Sequence, residues 1–194
     1  MKKWMKNHKL FTILVFYSIL LVLIGIIHYT LLDGSIKKDL FDKVILYRDS
    51  FTQEKNIFSI IGSALFKKTG SFVFYWLLGI SFIGIPVFLF LYSFKIYLFS
   101  FEFIFLFTHI KQITFPFFLL YVVGESLLFL FFFFLFYYAL IYSFLLFQYL
   151  FLKKEFPIKK VTHKYLKVGI FLLIGEIFSC LLQNIFLYII YPMI

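Results

Sequence analysis

Lys95, Glu102 and His109 recur every seven residues in a stretch otherwise almost free of charge, and Glu176, Ser179 and Gln183 follow at steps of three and four in a later apolar run. Both spacings place side chains on one face of a helix. Such groups can relay a proton, hold a cation, or tie helices together by hydrogen bonds. Two carboxylates brought close in an apolar setting do not both ionise cheaply, so Glu102 and Glu176 suit either a polar pathway or interhelical glue. In the plainer reading Lys95 marks the inner membrane boundary and His109 the outer one. Glu125 reads as a helix-start residue favoured by the N-terminal dipole. No catalytic constellation accompanies these residues. His-Glu-x-x-His, a phosphate-binding Gly loop and a Gly-x-Ser-x-Gly turn are all missing from the sequence. His8, His28, His109 and His163 fall in four different segments, and Cys180 stands alone. The expectation is therefore no catalytic residue, no metal site, no cofactor and no intrachain disulfide.

Composition dictates what must position these groups. The chain has 194 residues, 63% of them hydrophobic and 25% aromatic, more apolar side chain than a soluble domain of this size can hide from water. Lipid is the solvent that suits it. An A/T-rich genome would by itself inflate Phe, Lys and Ile, so the run Phe131 to Phe134 is not read as an aromatic cage. The net charge of +10 does not point to nucleic acid, because the cations gather beside apolar spans. They cluster at Lys2, Lys3, Lys6 and Lys9, and again at Lys153, Lys154, Lys159, Lys160, Lys164 and Lys167. Lysines retained in that way mark cytoplasmic segments.

About 20 apolar residues cross a bilayer core as a helix. Spans are expected over residues 10–32, 71–94, 96–113, 126–152 and 168–190. The first is too long and lacks the small-residue site of a cleaved signal peptide, so it reads as a retained anchor. Residues 33–70 form the one long polar segment, external and amphipathic. In it Ile36, Leu40, Phe41, Val44 and Ile45 fall at helical spacing, and Ser50 to Gln53 has capping-box spacing before Ile57, Phe58, Ile61, Ala64 and Leu65. Gly79 and Gly84 permit close helix contact, and Pro86 predicts a kink in the second span. Gly124-Glu125-Ser126 interrupts the next apolar run, leaving a short re-entrant or interfacial piece before residue 126. Counting that piece as a full span would put the basic loop 153–167 outside. The expected fold is thus an all-α polytopic bundle of about five spans, with its N-terminus and basic loop cytoplasmic and its C-terminus external.

With the spans placed, the segment from Tyr75 to Pro86, reading Tyr-Trp-Leu-Leu-Gly-Ile-Ser-Phe-Ile-Gly-Ile-Pro and followed by Lys95, resembles the stage II sporulation protein M family. Members carry a Leu-Gly-x-x-x-Ile-Gly-(Ile/Leu)-Pro segment with a Lys about nine residues later. Order and lengths of the segments fit over nearly the whole chain, while identity concentrates in the stretch from Trp76 to Lys95. Ile96 stands where members usually have Gly, and Gly124-Glu125-Ser126 stands where many carry Pro-Gln-Asn or His-Gly, the pattern of a divergent member. The resemblance implies a cell-membrane scaffold that gathers membrane or extracytoplasmic protein partners during sporulation. Alternatively it implies a component of circular bacteriocin maturation, secretion or immunity acting with an ABC-type ATPase. From the residues alone, a small proton- or ion-coupled carrier using Glu102 and Glu176 is a further option. A homo-oligomer is compatible with each.

Overall fold

The computed structural model describes residues 2–42, 57–81, 83–109, 115–153, 155 and 157–190. Those residues are helical almost throughout: α1 Lys2–Leu31, α2 at 34–42, α3 Ile57–Leu78, α4 Gly84–Thr108, α5 Phe115–Phe151 and α6 Ile158–Ile190. Among the described residues, four stretches are long and apolar enough to cross a membrane: Lys9–Leu31, Gly84–Thr108, Tyr121–Phe151 and Ile158–Ile185. The chain is a multi-pass integral membrane helical bundle. The expected capping box over Ser50 to Gln53, and Val44 and Ile45, lie outside the described residues, as do the side chains of Ile57 and Phe58.

Two expected boundaries move. Residues 71–94 do not form one helix, because α3 stops at Leu78 and α4 begins at Gly84, and residues 96–108 continue that same α4. The break falls inside the Leu78–Pro86 string rather than at Lys95. Pro86 has no N–H to offer a carbonyl four residues back, and its ring crowds the preceding turn, so it disfavours an unbroken helix from α3 into α4. Instead Pro86 lies exposed in the first turn of α4, where the missing donor costs nothing. The turn satisfies its own backbone. Ile80 N–H donates to Leu77 O at 3.1 Å, and the Ser81 hydroxyl accepts the N–H of Gly84 at 2.9 Å. Ser143 of α5 donates to the Ser81 carbonyl at 3.1 Å. A Cβ on Gly84 would strike the Leu78 carbonyl, and one on Gly79 would strike Ala139 and the Tyr165 hydroxyl. Gly84 therefore closes the turn, and Gly79 lets the end of α3 lie against α5 and α6.

The second shift is in α5. Among the described residues the expected break before residue 126 is absent: the helix is continuous from Phe115 to Phe151. A glycine inside a helix costs only about 1 kcal/mol, and here the absent side chain makes room for Gln183, whose Cδ a Cβ on Gly124 would meet at 2.7 Å.

Side-chain pairs fix the directions. α1 lies along α4 in parallel, through Tyr17 with Ser93, Ser18 with Tyr92, and Tyr29 with Thr108. α3 runs parallel to α5 and antiparallel to α6, and α5 and α6 form an antiparallel pair in extensive contact. One end of the bundle thus collects Lys9, the turn at 79–83, and the α5–α6 connection with Lys153, Lys159 and Lys160. The other collects α2, the end of α4 and the start of α5. The main core lies nearer the lysine-rich end, where Phe88, Tyr92, Phe132 and Phe136 are at most 1% exposed. Tyr92 stacks on Phe136 at 4.1 Å, and Phe88 meets Phe136 edge-on at 4.9 Å. A smaller core joins Tyr29, Phe105 and Leu106 to Leu40 and Phe41 of α2.

Candidate functional site

Leu20 is the middle of the apolar stretch Lys9–Leu31, and the parallel α1–α4 contacts bring Lys95 level with it. Lys95 is therefore near the membrane midplane, eleven positions into α4, and not at a boundary. Its ammonium sits 4.3 Å from the ring centroid of Phe132 and 5.6 Å from that of Tyr75. Glu176 of α6 lies at a similar level, since its neighbour Gly175 rests against the Phe131 ring, beside the Phe132 ring that Lys95 covers. Glu176 is 3% exposed, and among the described residues neither its Oε2 nor the buried Ser179 hydroxyl has a hydrogen-bond partner. An ammonium over an aromatic face gains about 2 kcal/mol or more when desolvated, a partial substitute for lost water.

One heptad away, toward the α2 end, a second polar layer crosses the bundle. Lys68 Nζ of α3 donates to Glu125 Oε1 of α5 at 2.6 Å and to Gln183 Oε1 of α6 at 3.0 Å. Gln183 Nε2 closes the triangle, donating to Glu125 Oε1 at 3.2 Å. Glu102 of α4 belongs to this layer and accepts from the Tyr121 hydroxyl at 3.1 Å. At 1.5 Å per residue the two layers are about 10 Å apart. Lys95, Leu98, Phe99, Glu102, Glu125 and Phe129 line a cleft of about 200 Å³ that connects them. Toward the lysine-rich end the Phe88–Tyr92–Phe132–Phe136 cluster closes it.

Glu176, Ser179 and Gln183 do share one buried face. Glu102 and Glu176, however, are not brought together: Glu102 is exposed and bonded to Tyr121, whereas Glu176 is buried one layer away. His109 lies at the end of α4, stacked at 4.7 Å on Phe41 of α2, away from the charged layers. Gly79, Gly84 and Pro86 belong to the turn.

Two participants are not evident from the spacing analysis. Lys68 falls in what reads as an external loop, and Glu125 reads as a helix start. The signal that finds them is the heptad itself: Lys68 to Tyr75, Lys95 to Glu102, Glu125 to Phe132 and Glu176 to Gln183 are each seven apart, so every one of four helices contributes to both layers. Compared with known family models, curated proteins and solved structures, the chain matches none. The geometry of the cluster is what its function must be argued from.

Proposed function

We propose that this protein is an integral membrane scaffold, a subunit that holds partner proteins in the cell membrane through the charged flank of its bundle rather than by catalysis. The observation that carries this reading is the cleft lined by Lys95, Glu102 and Glu125. Ionisable groups within a span are costly against lipid and normally face protein or water. Yet Glu102 is exposed on α4, and the ring contacts of α3 with α4, Tyr75 with Phe88 and with Lys95, lie on the side of it nearer the turn. A polar transmembrane partner would cover what these helices leave open. In this reading α3, despite Lys67 and Lys68, is the fifth pass. The lysine-rich end is then cytoplasmic and α2 external, in keeping with the positive-inside bias. The role suggested by the Leu78–Pro86 resemblance, gathering partners in sporulation or working beside an ABC-type ATPase in bacteriocin production, is of the same kind.

A photoreactive residue at position 98, on the rim of the cleft, tests this in intact membranes. The expected result is a discrete protein adduct that disappears when Lys95 and Glu102 are replaced by Met and Leu. Lipid adducts alone, unchanged by those substitutions, would refute it. A proton- or ion-coupled carrier is the second reading, favoured by the buried Glu176 carboxylate, whose Oε2 has no hydrogen-bond partner among the described residues. Carriage would require the Phe88–Tyr92–Phe132–Phe136 cluster to open.

A further inference from the structure

Among the described residues, the two polar layers and the positions beside them hold six formally charged side chains: Lys67, Lys68, Lys95, Glu102, Glu125 and Glu176. Within the chain, Lys68 is paired with Glu125, the Lys95 ammonium lies over the Phe132 ring, and Glu176 is buried. Lys67 and Glu102 are left over. Both are exposed, on different helices, and they carry opposite charge. Lys67 makes no ion pair or side-chain hydrogen bond among the described residues, and Glu102 keeps only the one bond from Tyr121.

The depths match. Lys67 adjoins Lys68, and Glu102 lines the same cleft as Glu125, so both lie in the outer polar layer. Counting from the midplane pair Tyr75 and Lys95, that is about 10–12 Å at 1.5 Å per residue, short of the ~15 Å half-thickness of the hydrocarbon. Two exposed charges of opposite sign at one depth inside lipid are each unfavourable alone, and they neutralise each other if two surfaces meet. The face around Lys67 suits such a meeting. Gly70, three residues on, has nothing within 4 Å of where a Cβ would stand, and Ser71 is exposed beside it. Small residues let helix backbones approach closely in a membrane.

We infer that the protein self-associates in the membrane, the α3 face bearing Lys67 docking on the α4 flank of a second copy so that Lys67 pairs with Glu102 across the interface. This rests on the reading of the flank as a protein-binding surface and names its first occupant. Since one copy offers both halves, two copies can exchange the contact in both directions, the closed arrangement typical of dimers.

The test is a charge exchange on the full chain, reconstituted in liposomes at low protein-to-lipid ratio, with stoichiometry read by single-molecule photobleaching. Wild type is expected to show two or more copies per complex. Lys67→Glu and Glu102→Lys should each be monomeric while retaining helical circular dichroism and a monodisperse elution profile. Mixing the two variants should restore a mixed complex, since one interface then carries the original pair and the other the reversed pair. A variant that misfolds cannot co-assemble, so Lys67→Gln and Glu102→Gln serve as milder substitutes, each expected to lower the associated fraction at least several-fold. Monomeric wild type, or variants that associate as wild type does, would overturn the inference. If wild type is monomeric but the position-98 cross-link captures a different polypeptide, self-association fails and the scaffold reading stands. If no polypeptide is captured at all, both fail.

Discussion

Removing one member of the Lys68–Glu125–Gln183 triangle should expose how much the outer polar layer contributes to folding. Glu125→Leu leaves the Lys68 ammonium inside the span with only the Gln183 carbonyl at 3.0 Å. Stranding one charge of a fully buried pair costs about 3–5 kcal/mol, and a lysine at the centre of a span costs about 2.5–3.5 kcal/mol on insertion scales. Here the side chains are 32% and 23% exposed, and the layer lies off the midplane, so both figures must be discounted. About 2 kcal/mol is the expected loss for Glu125→Leu, and a similar amount for Lys68→Met. The double variant removes both charges at once and strands only the Gln183 amide, at about 1.5 kcal/mol, within the range for an unsatisfied buried polar group. Subtracting the two single losses from the double gives a coupling of about 2.5 kcal/mol. The assay is equilibrium unfolding in mixed micelles by SDS titration, followed by tryptophan fluorescence. Strictly additive losses would refute the claim that these two charges neutralise each other.

Gly84→Ala should destabilise by about 1–3 kcal/mol in the same titration, because its Cβ meets backbone at Leu78 that cannot yield cheaply, whereas Gly34→Ala, with open space around it, should stay within about 0.5 kcal/mol. Glutamine keeps the shape and hydrogen-bonding capacity of a glutamate. Under the scaffold reading Glu176→Gln and Glu102→Gln should therefore retain folding and membrane level, and Glu176→Gln should keep the cellular phenotype; its loss with folding intact would favour the carrier instead. With Cys180 replaced first, a cysteine at Lys159 should resist impermeant thiol reagents in intact cells and one at Lys38 should react; the reverse pattern would invert the orientation.

Much of the architecture is legible without coordinates. Composition demands lipid, lysine clusters mark one end of the bundle, and the step from Glu176 to Ser179 to Gln183 places a polar face inside the last helix. What is not legible is where an apolar run stops being one helix. Phe, Leu and Ile suit every position in a span, so hydropathy runs smoothly across residues 71–94 and gives no sign of the reversal. The informative residues are the few that are not apolar. Ser81 three before Gly84 is turn and capping chemistry, and Pro86 two beyond belongs in a first helical turn. In α5 the same kind of evidence misleads. Gly124-Glu125-Ser126 has the composition of a break, yet Gly124 admits Gln183 and Glu125 receives Lys68, contacts with other helices that no local propensity can show.

The position of the reversal also decides what the charged residues can do. In a continuous helix over residues 71–94, Lys95 would sit at the cytoplasmic boundary with its ammonium in water, and α3 would end well short of Lys68. With the turn at 79–83 on the lysine-rich end, α4 enters the membrane at Gly84 and carries Lys95 about 16 Å inward at 1.5 Å per residue. The same shift draws Lys68 of α3 to the level of Glu125. Two lysines that would have been solvated become the cationic half of an intramembrane cluster, opposite carboxylates whose depth α5 and α6 set independently. Gly79, Ser81, Gly84 and Pro86 thus serve the site without lining it. They set the register of two helices, and that register is what brings Lys68 onto Glu125 and carries Lys95 in over the Phe132 ring.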